Sequence, residues 1–169
     1  AASTSGTAAA QDKLKLLCTA NQEWCQVMAA DFQRKTGVQI AFTRKGTGEA
    51  YAQLKAEADN PKVDLWWGGT GDPHLQAAEE KLTMKIDSPM LAQLQPWAQE
   101  QHRRAGGRTV GIYLGVIGLV YNQEVLAKKG IKPPACWADL LKPEYKGEIQ
   151  VANPNSSGTA YTSLATWVQ

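Results

Sequence analysis

Between residues 13 and 81 the chain alternates three short apolar runs with three amphipathic stretches, and this alternation limits the possible folds more than any other feature. Residues 13–18 (KLKLLC), 38–43 (VQIAFT) and 63–67 (VDLWW) have the length and β-rich composition of strands. Residues 23–35, 48–59 and 73–81 space their apolar side chains at helical intervals. Gly37 reads as the stop of the first helix, Asn60-Pro61 as the end of the second, and Asp72 as the N-cap of the third with Pro73 at its first position. A β-α-β-α-β-α order gives an α/β fold, a parallel sheet with helices on both faces, because each crossover must pack its helix back on the sheet. Further on, the pattern predicts a polar helix over 89–101, a strand over 110–121, a short helix over 124–129 and a Pro-rich turn over 130–134. A helix near 137–141, a strand over 148–152 and a last helix over 159–168 follow.

Composition narrows the function. Of 169 residues, 18 are basic and 16 acidic, and the basic ones are scattered, with 102-HRRAGGR-108 as the one local cluster. A nucleic-acid binder gathers a clear basic excess on one face, so that class is not expected. The longest apolar stretch, 110-VGIYLGVIGLVY-121, is too short to span a bilayer. Residues 1–12 have neither the charged nor the apolar region of a signal peptide and read as a disordered mature start. There is no Walker-type phosphate loop and no G-x-S-x-G elbow, and His74 and His102 lack a nucleophile partner in the sequence. Cys136 and the histidines have no metal-ligand spacing, so no catalytic residue, metal or cofactor is expected. Cys18 and Cys25 are either a disulfide, which suits an oxidising compartment, or two unpaired half-buried thiols.

Ligands of open parallel sheets sit beyond the carboxyl ends of the strands. The loops there are 18-CTANQ-22, 44-RKGTGEA-50 and 67-WGGTGDP-73, and 152-ANPNSSGTA-160 repeats their composition before the last helix. Unpaired N–H groups at a helix start attract an anion, glycine admits close backbone approach, and Ser or Thr adds a neutral donor. The candidate ligand-binding residues are therefore Thr19, Ala20 and Asn21; Gly46, Thr47 and Gly48; Trp67, Gly68, Gly69 and Thr70; and Ser156, Ser157, Gly158 and Thr159. Trp66 and Trp67 point to opposite faces of a strand, so either both pack in the core or the one nearest the glycine pair stacks on a ligand at the cleft. Tyr51 is placed at the same edge, and Arg44 and Lys45 at its rim.

The order of motifs resembles a known family. The segments 18-CTANQEWC-25, 46-GTGEAYAQLKAEADNPKVDLWWGG-69, 111-GIYLGVIGLVYNQEVL-126, 136-CWADLLKPEYKGEI-149 and 153-NPNSSGTAYTSL-164 are similar to the periplasmic solute-binding proteins of ATP-driven importers. The similarity is to the branch that includes ferric-iron, hexose-phosphate and aminoalkylphosphonate binders. It implies a clamp of two α/β lobes closing on a solute, with residues 13–112 in lobe one, 113–121 as the crossing strand and 122–169 as the first part of lobe two. It further implies a periplasmic location, a membrane permease as partner, and an anionic solute group held by 156-SSGT-159. Members of the family run to roughly twice this length, and the adjacent tyrosines that grip iron in the ferric binders fall in the part of the family pattern beyond residue 169. The expectation is thus a non-catalytic binder of a small phosphorylated or phosphonate solute. Two alternatives stay open: a ferric-iron binder, and a half-length module that only oligomerises, as a homodimer in which residues after 118 complete a partner's fold.

Overall fold

The computed structural model describes residues 13–168. The disordered tail expected for residues 1–12 lies outside this range. Strand β1 (Leu14–Cys18) leads through helix α1 (Gln22–Thr36) to β2 (Ile40–Arg44), then through α2 (Thr47–Ala56) to β3 (Leu65–Trp67) and α3 (Gly71–Glu79). The three strands form one parallel sheet in the order β2-β1-β3, with Leu14 opposite Ile40 and Leu16 opposite Leu65. The chain steps from β1 one way to β2 and then back past β1 to β3. Right-handed crossovers put α1 and α2 on opposite faces when the direction reverses in this way. The point of reversal lies between the carboxyl ends of β1 and β3.

Alternation along β1 sorts the core. Leu16 and Cys18 face α1 and form a buried cluster with Ala20 and Cys25, covered by Leu14, Ile40, Phe42 and Trp67. Cys18 and Cys25 are joined by a disulfide, with their Cα atoms 6.1 Å apart and both side chains fully buried. The bond ties the end of β1 to the first turn of α1. Helix α1 stops at Gly37, whose φ of 76° is left-handed and whose N–H donates to Gln33 O at 2.8 Å.

Leu17, 1% exposed, faces the other way with Trp66, its neighbour in β3. The indole of Trp66 stacks on His74 of α3, ring centroids 3.7 Å apart, and His74 Nε2 lies 2.8 Å from Gly68 O. A carbonyl only accepts, so Nε2 carries the proton. Burial pushes the His74 pKa below its ordinary value, the bond to Gly68 opposing the shift more weakly. Tyr51 joins α2 to α3 through a 2.7 Å bond to Glu80, so it does not face the strand ends as expected.

Several elements differ from the sequence reading. Helix α3 starts at Gly71 with Thr70 as N-cap, so Pro73 falls at the third position, where its missing N–H is still one of the groups a first turn leaves unpaired. The polar helix α4 covers Pro96–Arg104 after a 3-10 turn at Leu91–Gln93, and the predicted helix near 137–141 is a 3-10 segment, Trp137–Leu141. Helices α5 (Gln123–Lys129) and α6 (Gly158–Trp167) agree with expectation. Residues 110–121 and 148–152, read as strands, take no regular structure. Strand-like composition needs a ladder partner before it becomes a strand, and among the described residues neither segment has one. The outer edge of β3 is likewise unpaired. It faces residues 110–114 across an apolar groove of about 1210 Å³, rimmed by Leu65, Met84 and Leu114 at 41%, 83% and 71% exposure.

Two predictions follow from the two faces of β1. Replacing Cys18 and Cys25 together by alanine removes the constraint on a short loop and lowers stability by roughly 2–3 kcal/mol, read from the urea midpoint. His74 is buried neutral, so the unfolded chain takes up its proton first: the stabilisation is complete above about pH 6.5 and is lost as the pH falls below that value. His74→Gln flattens this slope between about pH 6.5 and 5, above the carboxylate range, in urea melts at stepped pH.

Candidate functional site

The loops after β1 and β3 are locked together at the point of strand reversal. Gly68 and Gly69 have φ of 86° and 93°, a left-handed path open to glycine. Their peptide groups are held from three directions. The Thr19 hydroxyl donates to Gly68 O and accepts from Trp66 Nε1 at 3.0 Å. His74 Nε2 donates to the same carbonyl. The Tyr113 hydroxyl accepts from Gly69 N at 2.7 Å and approaches Gly69 O at 3.3 Å. Tyr113 is itself set edge-on against Trp24 and Trp67, with centroids at 5.6 and 6.3 Å.

The fourth loop forms a compact turn around Asn153. Its carbonyl accepts from Ser156 N at 3.1 Å, Ser157 N at 2.9 Å and the Ser156 hydroxyl at 3.2 Å, while its side chain accepts from Asn155 N at 2.9 Å. Ser157 is the N-cap of α6, its hydroxyl oxygen accepting from Ala160 N at 3.3 Å. This turn lies directly on the start of α2. Gly48 N donates to Ser156 O at 3.2 Å. A Cβ built on Gly158 would stand 2.4 Å from Thr70 Oγ1 and 2.7 Å from Thr47 Oγ1, and one built on Gly69 would stand 2.6 Å from both Thr19 Oγ1 and Thr47 Oγ1. All four glycine- and hydroxyl-bearing loops therefore meet in one seam, although the last is separated from the others by a long stretch of chain.

Within the seam the donors are unequally engaged. Gly46 N donates to the Glu49 carboxylate at 2.9 Å and Gly48 N to Ser156 O, so two amides at the start of α2 are already satisfied. Thr19 spends its proton on Gly68, and Ser156 spends its own on Asn153. Ser157 accepts as a cap and keeps its proton. The Thr70 hydroxyl is buried with no hydrogen-bond partner, beside Gly158 at the start of α6. Thr159 is exposed. The arrangement that can take an added acceptor is thus the start of α6 with Thr70 and Ser157. Arg44, two residues before Gly46 in the chain, is directed to the first loop, its Nε donating to Ala20 O at 3.2 Å.

The remaining candidates take other positions. Trp67 packs against the cluster around the Cys18–Cys25 disulfide, Ala20 is buried in that cluster, and Asn21 caps α1 without a side-chain bond. His74 and Tyr113 were not among the sequence candidates, yet they fix the Gly68–Gly69 path. The one sequence signal for them is position: His74 lies one turn into the helix that follows the glycine pair, and Tyr113 is the first of two polar-tipped residues in an apolar run. Among the described residues no group of three or more His, Cys, Asp and Glu is placed to hold a metal ion, and no helix is long and apolar enough to cross a membrane.

Comparison with known proteins adds three findings. The family model for bacterial extracellular solute-binding proteins matches residues 60–169. An uncharacterized protein of Haemophilus influenzae is 42% identical over 166 residues, which is 98% of this chain and 48% of that protein. Two solved structures match at 41% identity. One, the periplasmic binding protein P5PA, has a TM-score of 0.87 over 93% of this chain and 50% of its own. The other, the periplasmic binding protein AfuA of Actinobacillus pleuropneumoniae with fructose-6-phosphate bound, has a TM-score of 0.84 over 90% of this chain and 48% of its own. The chain spans about half the length of these relatives. By sequence over most of its length and by its sheet and helices, it belongs to the family of bacterial extracellular solute-binding proteins.

Proposed function

We propose that the chain acts in solute capture for an ABC importer, as a non-catalytic periplasmic component that works with a membrane permease and binds a small phosphorylated or phosphonate solute. In this reading residues 13–112 belong to one lobe, 113–121 to the crossing and 122–169 to the beginning of the second lobe. The solute's anionic group sits at the start of α6, taking the N–H groups of Gly158 and Thr159 and the hydroxyls of Thr70 and Ser157. Thr19, Gly46, Gly48, Gly68 and Gly69 shape the wall.

The observation that carries the proposal is the buried, unpartnered Thr70 hydroxyl at the N-terminus of a helix. A hydroxyl without a partner costs stability unless something accepts from it, and an anion at a helix start is the acceptor that this dipole favours. The fructose-6-phosphate held by the 41% identical Actinobacillus protein supports the same solute class. The disulfide fits an oxidising compartment.

Calorimetry tests the proposal. Fructose 6-phosphate or 2-aminoethylphosphonate gives a saturable heat, and ferric ion gives neither heat nor a visible charge-transfer band. An iron-dependent colour returns the alternative of a ferric binder, and no heat with any probe returns that of a module that only oligomerises. Thr70→Val weakens binding of the phosphorylated probe about tenfold, the worth of one hydrogen bond to a charged group. The same change leaves the melting temperature level or higher, because it removes an unsatisfied buried group.

A further inference from the structure

Gly46 and Gly48 flank Thr47 at the start of α2, and neither is glycine for the sake of its backbone angles. Gly46 has φ of −70°, and Gly48 is not among the positive-φ glycines. An alanine would be the better helix former at the second position of α2. The space around them accounts for both. A Cβ on Gly48 would stand 2.0 Å from Asn155 O, and one on Gly46 would stand 2.3 Å from Ser156 O. These are backbone atoms of a turn braced by several internal bonds, so they cannot give way as a flexible side chain does. Close approach of backbone to backbone is the role left for these glycines.

We propose that Gly46 and Gly48 form a backbone latch with the Asn155–Ser156 carbonyls, holding the C-terminal part of the chain against the end of the sheet. Gly48 N–H gives Ser156 O a hydrogen bond at the positive end of α2, so a peptide carbonyl takes the place that an anion finds at other helix starts. Glu49 supports this by taking Gly46 N–H, leaving α2 to the latch and α6 to the solute. The connection between the two halves is suited to a movable latch. Among the described residues, 114–121 make no backbone hydrogen bond to another element, and a Cβ on Gly115 or Gly118 would meet nothing within 4 Å. The inference takes from the proposed function the idea of two parts that close on each other, and it does not depend on the identity of the solute.

The exposed free Cys136 supplies one label position and Ala52→Cys, on the exposed side of α2, the other, because Cys18 and Cys25 are paired. Electron spin distance measurements on the solute-free protein are expected to give one short, narrow population in the labelled parent. Gly48→Ala shifts the main population to longer and broader distances. Gly71→Ala, whose Cβ would find only Gln101 side-chain atoms at 3.5 Å or more, leaves it unchanged. Gly46→Ala repeats the Gly48→Ala result, and far-UV circular dichroism shows which variants keep their helices. Distances in folded Gly48→Ala or Gly46→Ala that overlay the parent overturn the latch, as does a parent already long and broad. Absence of calorimetric heat with phosphorylated probes sinks the solute class and leaves these distances as they are.

Discussion

Backbone packed against backbone, with no side chain between, is the constraint on which the seam rests. The Asn153 turn reaches α2 only because positions 46 and 48 carry no Cβ, and it reaches Thr47 and Thr70 only because position 158 carries none. Each glycine is needed because of the others. A methyl group at any of these positions would meet an atom well inside van der Waals contact, and the loops would have to separate. The contact is therefore all-or-none in a way that side-chain packing seldom is. It also decides which donors remain for a solute, since the turn consumes an amide of α2 and in doing so brings α6 beside Thr70.

The placing of loops at strand ends was legible in the amino-acid pattern, because β-α alternation alone fixes which loops share an edge. The pairing of Leu14–Cys18 with both neighbours follows from the same alternation. What the pattern could not express is how each donor is spent. Thr19 and Gly68 lie 49 residues apart, and nothing local in either says that the hydroxyl of one is committed to the carbonyl of the other. Gly46 and Gly48 looked like an anion loop because such loops share their composition with any site of close backbone approach. Residues 110–121 looked like a strand because valine, isoleucine and tyrosine fit a pleated surface, and their neighbours in space are not visible in their order.

The two faces of the sheet serve different ends. On the α1 side the disulfide and its cluster fix the end of β1, from which Thr19 projects. On the α3 side Trp66 and His74 carry a polar task, since the imidazole that fills space against the indole also supports the Gly68 carbonyl. Tyr113 closes the same loop from the chain that leaves for the C-terminal half. The glycine pair is thus held by residues from a strand end, a helix and a connecting segment, and it delivers Thr70 to the seam with little freedom.

The unladdered stretch 114–121 has a consequence for affinity within the molecule. A coil of that length has a root-mean-square reach on the order of 15 Å, which confines whatever it carries to a small volume around its anchor. Short tethers of this kind give effective concentrations in the millimolar range. A contact worth only about 4 kcal/mol between separate molecules is then half occupied when joined through the ribbon. One amide-to-carbonyl bond supplies about 1 kcal/mol towards that figure, and the close packing of backbone on backbone has to supply the rest.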